Sequence, residues 1–296
     1  MSSSPITQVP DHPSHQDSNS LQKGNAIPTH LKLLLRGVPM YVKRDSLVSL
    51  PESLLVAIFP NGFVLTADKN PAPTDTSGLV GESDFDPKCF SYILEFFSEA
   101  AETFAKENQD HSWEAFSAGL VGAYSRQFDS ARYSLLTKQA IVVLREELEY
   151  FILPQDKSNP LTSTADIITL KQLKQTAGQL LKADDLVFHS MLQNVKRGNN
   201  IVERELVDML CDCGFTRLDR WFYRELESKK TFITSVSLVK LKVEDKDNIM
   251  ESAKKLMVFW KKPARKCWWD YTLTKLDNIQ VRLWVRRTWI LELSFV

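Results

Sequence analysis

The sequence predicts an α+β fold with a β-rich C-terminal region. Three observations predict it. From Val281 to Phe295 every odd position is apolar except Arg287, a period of two held long enough to require one long or bent strand. From Asp86-Pro87 onward, Phe90, Ile93, Leu94 and Phe97 recur at i, i+3, i+4 and i+7, the spacing of a helix with one buried face. Near the other end, two short apolar runs flank Arg36-Gly37-Val38-Pro39, the composition of a tight hairpin.

Residues 1–28 contain six serines and four prolines with few apolar side chains. They cannot offset the entropy of ordering and read as a disordered tail. Residues 31–35 and 40–43 form the hairpin strands. Asp45 is placed to cap a short helix, and Pro51 opens a second that carries Leu54, Leu55, Ile58 and Phe59 at core spacing and stops at Pro60-Asn61-Gly62. Residues 63–65 read as a third strand and 66–78 as loop. At Asp86-Pro87 the aspartate caps free amides while proline occupies the first helical position. A more polar stretch, 98–135, holds a helical signal around 113–124.

Residues 140–144 read as a strand running into a helix over 145–151 that ends before Pro154. Helical periodicity returns over 166–181 and 184–195. Asn200 and Glu203 then make a capping box, with Ile201, Val202, Leu206, Leu210 and Cys213 on one face and Gly214 as the left-handed stop. Residues 231–243 are strand-like, and 248–259 read as a helix before the final long strand.

The chain has 296 residues, 43% of them hydrophobic, with 37 basic and 37 acidic side chains. A net charge of zero excludes a polyanion-coating or highly charged disordered protein. The zero is a sum of opposites: residues 229–296 hold 15 basic and 7 acidic groups, and the rest carries the balancing acid. That split points to docking between the two parts, or to an acidic partner for the C-terminal end. The longest apolar run, Leu54 to Phe59, has six residues, far short of the about 20 a bilayer span needs. Neither a secretory leader nor a lipidation motif is visible, and four unspaced cysteines suit a reducing compartment: cytoplasmic, with nuclear or membrane-peripheral sites open through a partner.

No phosphate-loop, zincin, nucleophile-elbow or kinase signature occurs, so an enzyme is not expected and no cofactor or metal is assigned. Cys211-x-Cys213 is half of a zinc spacing, but both fall in the last turn of a helix, where core or boundary positions are expected. Gly119-Leu120-Val121-Gly122 lacks the strand and lysine of a phosphate loop and reads as a packing or turn motif. Leu293-Ser294-Phe295-Val296 resembles a carboxylate-capture tail, with simple continuation of the strand as the default.

The sharpest surface candidates lie in the basic end: Lys266, Trp268, Trp269, Trp284, Arg286 and Arg287, in a segment holding five of the seven tryptophans. Three readings compete. The tryptophans pack in a β core beneath a solvated basic face; or tryptophan and arginine form a partner-docking surface; or the basic aromatic stretch binds anionic lipid or nucleic acid. A charge of this size without a recognisable module argues against nucleic acid. Arg287, in the apolar phase, requires either a bulge or a buried carboxylate.

Two resemblances add to this reading. Leu47, Pro51, Ser53, Leu55 and Phe59, followed by Asp84, Asp86, Pro87, Phe90, Ile93, Leu94 and Phe96, resemble the motifs of a BTB/POZ domain of the potassium-channel tetramerisation type. Residues 144–151 resemble that domain's later helix. This implies a domain over 30–151 with an insertion at about 98–135; the residue patterns add a helical region over 165–228 and a basic, Trp-rich β-containing region over 229–296. The hairpin departs from the pattern in having Gly37 alone, and Phe85 stands where a basic residue is common. Residues 50–62, 222–227, 266–269 and 284–289 resemble fungal Whi-type growth-regulation proteins. That resemblance implies a non-catalytic adaptor in stress response and nutrient-linked growth restraint, recruiting a membrane-associated phosphatase. Self-association through the BTB unit, substrate recruitment to a cullin-type ubiquitin ligase, and a chromatin role for the basic end stand as further expectations.

Overall fold

A computed structural model describes residues 28–68, 79–107, 134–135, 137–154, 164–198, 201–227, 231–242, 256–259 and 262–296. It is a mixed α and β structure with two sheets. The expected tail, apart from Pro28, and the helical signal at 113–124, the 119–122 glycines and Asn200 of the capping box lie outside the described residues.

In the N-terminal part, β1 (His30–Leu35) and β2 (Val38–Lys43) form an antiparallel hairpin with Leu35 opposite Val38. Its turn is just Arg36 and Gly37, both at positive φ, the two-residue form that matches strand twist. Helices α1 (Arg44–Val48) and α2 (Glu52–Ile58) follow. Two expectations shift: Asp45 sits inside the first turn of α1, two positions after its N-cap Lys43, without capping it, and Pro51 is the N-cap of α2 rather than its first helical residue. Strand β3 is Leu65–Ala67, two residues later than expected, and β4 (Leu79–Ser83) was not foreseen. The sheet order is β2-β1-β4-β3, with β1 and β4 parallel.

Helix α3 (Pro87–Glu107) starts as its sequence predicts, because Asp86 Oδ1 accepts the amides of Lys88 at 2.8 Å and Cys89 at 3.1 Å. Its Phe90, Ile93 and Phe97 pack with Leu31, Leu33, Leu35, Leu54 and Ile58. The same core takes in Ile141, Val143, Val236 and Leu238 of the second sheet, so one apolar layer joins the two parts.

The second sheet has the order β6-β7-β5-β9-β8 and is antiparallel throughout. Its strands are β5 (Ala140–Pro154), β6 (Tyr223–Leu226), β7 (Phe232–Lys240), β8 (Ala264–Leu276) and β9 (Ile279–Phe295). The helix expected over 145–151 is instead part of the 15-residue strand β5, flanked by β7 and β9. Arginine, glutamate and leucine favour a helix locally, but period two puts Leu144, Glu146, Leu148 and Tyr150 on one buried face, and tertiary pairing overrides propensity. Strand β9 confirms the long alternating strand, and Val296 exchanges backbone hydrogen bonds with Gln139, so the chain end continues the sheet.

Three helices cover one sheet face: α4 (Thr164–Ala183), α5 (His189–Gly198) and α6 (Ile201–Asp212). Helix α5 starts later than its periodicity suggests. Gly214 at φ 126° ends α6, its Cα facing the Lys240 carbonyl so closely that a Cβ would sit 2.8 Å from it. Cys213 is buried in this core and Cys211 half-buried. Of the helix expected at 248–259, Leu256 is a buried turn residue, Met257–Phe259 is a 3₁₀ turn, and 248–255 lie outside the described residues.

Candidate functional site

The six candidate side chains divide between the two faces of the second sheet. Residues opposite one another in β8 and β9 share a face, and Lys266, Trp268 and Trp289 with Arg287 fall on the helix-covered side. Trp269, Trp284 and Arg286 fall on the other. The structure therefore separates a structural set from an accessible one.

On the helix-covered face, Glu146 is the centre. Its Oε1 accepts from Arg287 Nη1 at 2.9 Å and from Trp289 Nε1 at 3.1 Å, and its Oε2 accepts from Arg224 Nη1 at 2.6 Å. Arg224 also donates to Ser235 Oγ and to the Leu181 carbonyl. Arg287 thus meets the buried carboxylate its phase demanded. Burial opposes the charge on Glu146, but Arg287 and Arg224 outweigh it and hold the carboxyl below its usual range. Trp289 meets Trp268, Trp221 and Phe188 edge to face, with centroids 5.6 to 6.1 Å away. Trp268 Nε1 donates to Ser190 Oγ at 3.3 Å, and Lys266 Nζ lies 3.3 Å from Glu203 Oε1. Arg287, Trp268 and Lys266 thereby fasten β8 and β9 to α5, α6 and β5.

Among the described residues, the opposite face is covered only in part. Near Ala140 and Phe295 it packs on the N-terminal core, where Glu292 Oε2 accepts the Ser53 amide at 2.9 Å. Farther along, Phe151 and Leu153 of β5, Trp284 of β9, and Trp269, Tyr271 and Leu273 of β8 form a contiguous aromatic and aliphatic platform. Trp269 is 55% exposed, Tyr271 51% and Leu273 59%. Phe151 stacks on Trp269 at 6.0 Å, and Trp284 contacts Trp269 at 6.4 Å and Tyr271 at 5.0 Å. Arginines frame it. Arg286 lies over Trp269 while donating to Glu149 at 2.7 Å, and Arg282 lies over Tyr271. Rings fixed by neighbours on a rigid sheet lose little entropy on contact, and exposed tryptophan, tyrosine and arginine together are the composition of interface hot spots.

Of the candidates read from the sequence, Trp269, Trp284 and Arg286 lie at this surface, with Arg282 of the same basic segment beside them; Phe151, Leu153, Tyr271 and Leu273 were not singled out. A signal existed. Trp269, Tyr271 and Leu273 alternate with Asp270, Thr272 and Thr274, the period-two pattern of β8. Phe151 and Leu153 were hidden by the helical reading of β5. The opposed charges of the two parts meet as ion pairs: Arg286 with Glu149, Arg287 with Glu146, Lys266 with Glu203 and Lys240 with Glu99. Among the described residues, Arg265, Lys275 and Arg282 form no ion pair, and they lie on the platform side of β8 and β9.

No protein-family model matches the chain. It is similar to a WHI2-like protein of Schizosaccharomyces pombe, 32% identical over 278 residues that cover 90% of this chain and 88% of that protein. It is also similar to a growth regulation protein of Saccharomyces cerevisiae, 26% identical over 94% of this chain and 66% of that protein. An uncharacterized protein of S. pombe is 24% identical over 91% of this chain and 88% of its own length. Similarity to a WHI2-like protein over nearly the whole length of both chains, helices and both sheets included, is that of one family: the chain belongs to the WHI2-like growth-regulation proteins of fungi.

Proposed function

We propose that this protein is a non-catalytic adaptor that restrains growth under stress and nutrient limitation by bringing a membrane-associated phosphatase to its substrate in the cytoplasm. The observation that carries the reading is the platform of Phe151, Trp269, Tyr271, Leu273 and Trp284, a rigid, exposed aromatic surface framed by arginines. A scaffold of this kind accelerates dephosphorylation through effective concentration and contributes no reacting group. The phosphatase is what the resemblance to Whi-type proteins implies. Among the described residues no helix is long and apolar enough to cross a membrane, so membrane proximity would come from the partner. The N-terminal hairpin, its two short helices and the β3-β4 pair leading into α3 support a BTB/POZ-like unit that serves a second partner or self-association.

Affinity purification of the intact chain with quantitative mass spectrometry tests the reading, run beside the Trp269→Ala/Tyr271→Ala variant. A phosphatase subunit recovered with the wild type and lost with the variant supports it. Recovery of cullin or chromatin components in place of a phosphatase, or no difference between the two chains, refutes it.

A further inference from the structure

Among the described residues, strand β8 forms one edge of the second sheet and pairs on one side only, with β9. It has 13 residues, against four in β6 at the opposite edge. Natural sheets keep exposed edges short or cover them, because an open edge offers a row of unpaired amides and carbonyls to any extended chain. Here the inner face of the edge strand is pinned: Lys266 to Glu203, Trp268 to Ser190, and Asp270 to Arg197 at 3.4 Å. The strand is held in place from that side, and among the described residues its outer edge pairs with no other strand; the Tyr271 amide donates to Asp270 Oδ1 at 2.8 Å, a local contact an incoming backbone would replace.

We propose that the free edge of β8 receives an extended, acidic segment of another protein, which adds a sixth strand to the sheet and lays alternate apolar side chains on the platform. This rests on the adaptor reading and specifies how the partner is gripped. Backbone pairing to β8 supplies affinity, and Trp269, Tyr271 and Leu273, successive on one face, supply pockets for every second side chain. Arg265 lies at one end of the edge and Lys275, with Arg282 beside it, at the other, about 33 Å apart at the usual rise per residue. Acidic residues toward both ends of the incoming segment would meet them.

A second copy of the chain is the competing occupant, and charge disfavours it. Antiparallel pairing of β8 with β8 of another copy in full register sets Arg265 opposite Lys275 at both ends. Like charges directly across a strand pair are destabilising. A basic segment would face the same repulsion.

A display library of random twelve-residue peptides, panned on the intact chain with the Trp269→Ala/Tyr271→Ala variant as counter-selection, tests the proposal. Enriched peptides should carry apolar residues at every second position and aspartate or glutamate toward the ends. Their affinity should fall at least tenfold on the variant and at raised salt. Methylating the amides of one alternate set of peptide residues should abolish binding while methylating the other set does not, since only one set faces β8. The proposal is overturned if no peptide is enriched over the variant, if apolar residues recur at helical spacing, if both methylated sets bind alike, or if sedimentation shows a dimer that the variant dissolves. Loss of cellular partners by the variant without selection of extended peptides would sink strand addition and leave the adaptor reading standing. Selection of such peptides with unchanged cellular partners would do the reverse.

Discussion

Trp268 and Trp269 are one peptide bond apart and lie on opposite faces of the second sheet. Trp268 donates to Ser190 Oγ beneath α5 and meets Trp289 edge to face, while Trp269 stands 55% exposed beside Phe151 and Arg286. A packed indole and an exposed one are thus divided between neighbours by the pleat alone.

Exchanging each for alanine should separate the two roles. Trp268→Ala removes a packed indole and its hydrogen bond and should destabilise the protein by about 3 kcal/mol. Trp269→Ala should cost less than about 1 kcal/mol, as surface changes do, while weakening partner binding. Urea unfolding of both variants, with binding measured alongside, checks the contrast.

Glu146 should be the most sensitive charged position in the sheet. Glu146→Ala leaves Arg287 and Arg224 buried without their carboxylate and should cost about 3–5 kcal/mol. Because folding depresses its pKa, the stability Glu146 contributes is fully present above the ordinary carboxylate range and is lost as pH falls through the lowered folded value. Stability measured across acid pH should therefore drop less steeply in Glu146→Gln than in the wild type.

Thiol labelling should report the platform side directly. Cys267 is exposed on β8, whereas Cys89 and Cys213 are buried, and burial pushes the Cys89 thiol pKa up and keeps it protonated. A maleimide should modify Cys267 in the native protein and reach Cys89 and Cys213 only on unfolding. A bound partner should slow the reaction at Cys267.

Helix α4 should tolerate no side chain at Gly178. A Cβ there would lie 2.5 Å from Tyr150 Oη and 2.8 Å from Leu226 Cδ2, and the Tyr150 hydroxyl donates to the Lys174 carbonyl at 2.9 Å. Gly178→Ala should destabilise by about 1–3 kcal/mol despite its better helix propensity, visible as a lowered Tm.

Elements with one dominant local signal were legible in the sequence. The Asp86-Pro87 start of α3, the β9 alternation and the Gly214 stop each rest on chemistry within a few residues. Arg287 was legible as a demand for a carboxylate, although Glu146 as its partner was not, because the two are 141 positions apart. Strand β5 was misread at 145–151 for the same reason: glutamate in its buried phase makes sense only once Arg224 and Arg287 are across from it. Strand β8 was hidden because its helix-facing phase, Lys266, Trp268, Asp270, Thr272 and Thr274, mixes charged, aromatic and hydroxyl side chains, so the alternation with Cys267, Trp269, Tyr271 and Leu273 is interrupted at Trp268. Its turn at Asp277 and Asn278, both at positive φ, was the overlooked hairpin signal.

The central claim is that growth restraint acts through the exposed platform. It is tested most directly by expressing the wild type and Trp269→Ala/Tyr271→Ala in fungal cells lacking their own WHI2-like protein, and measuring proliferation as nutrients run out, with protein abundance matched. The platform account predicts that the wild type restores arrest and the variant, equally abundant, does not. Arrest restored to the same degree by both would contradict it.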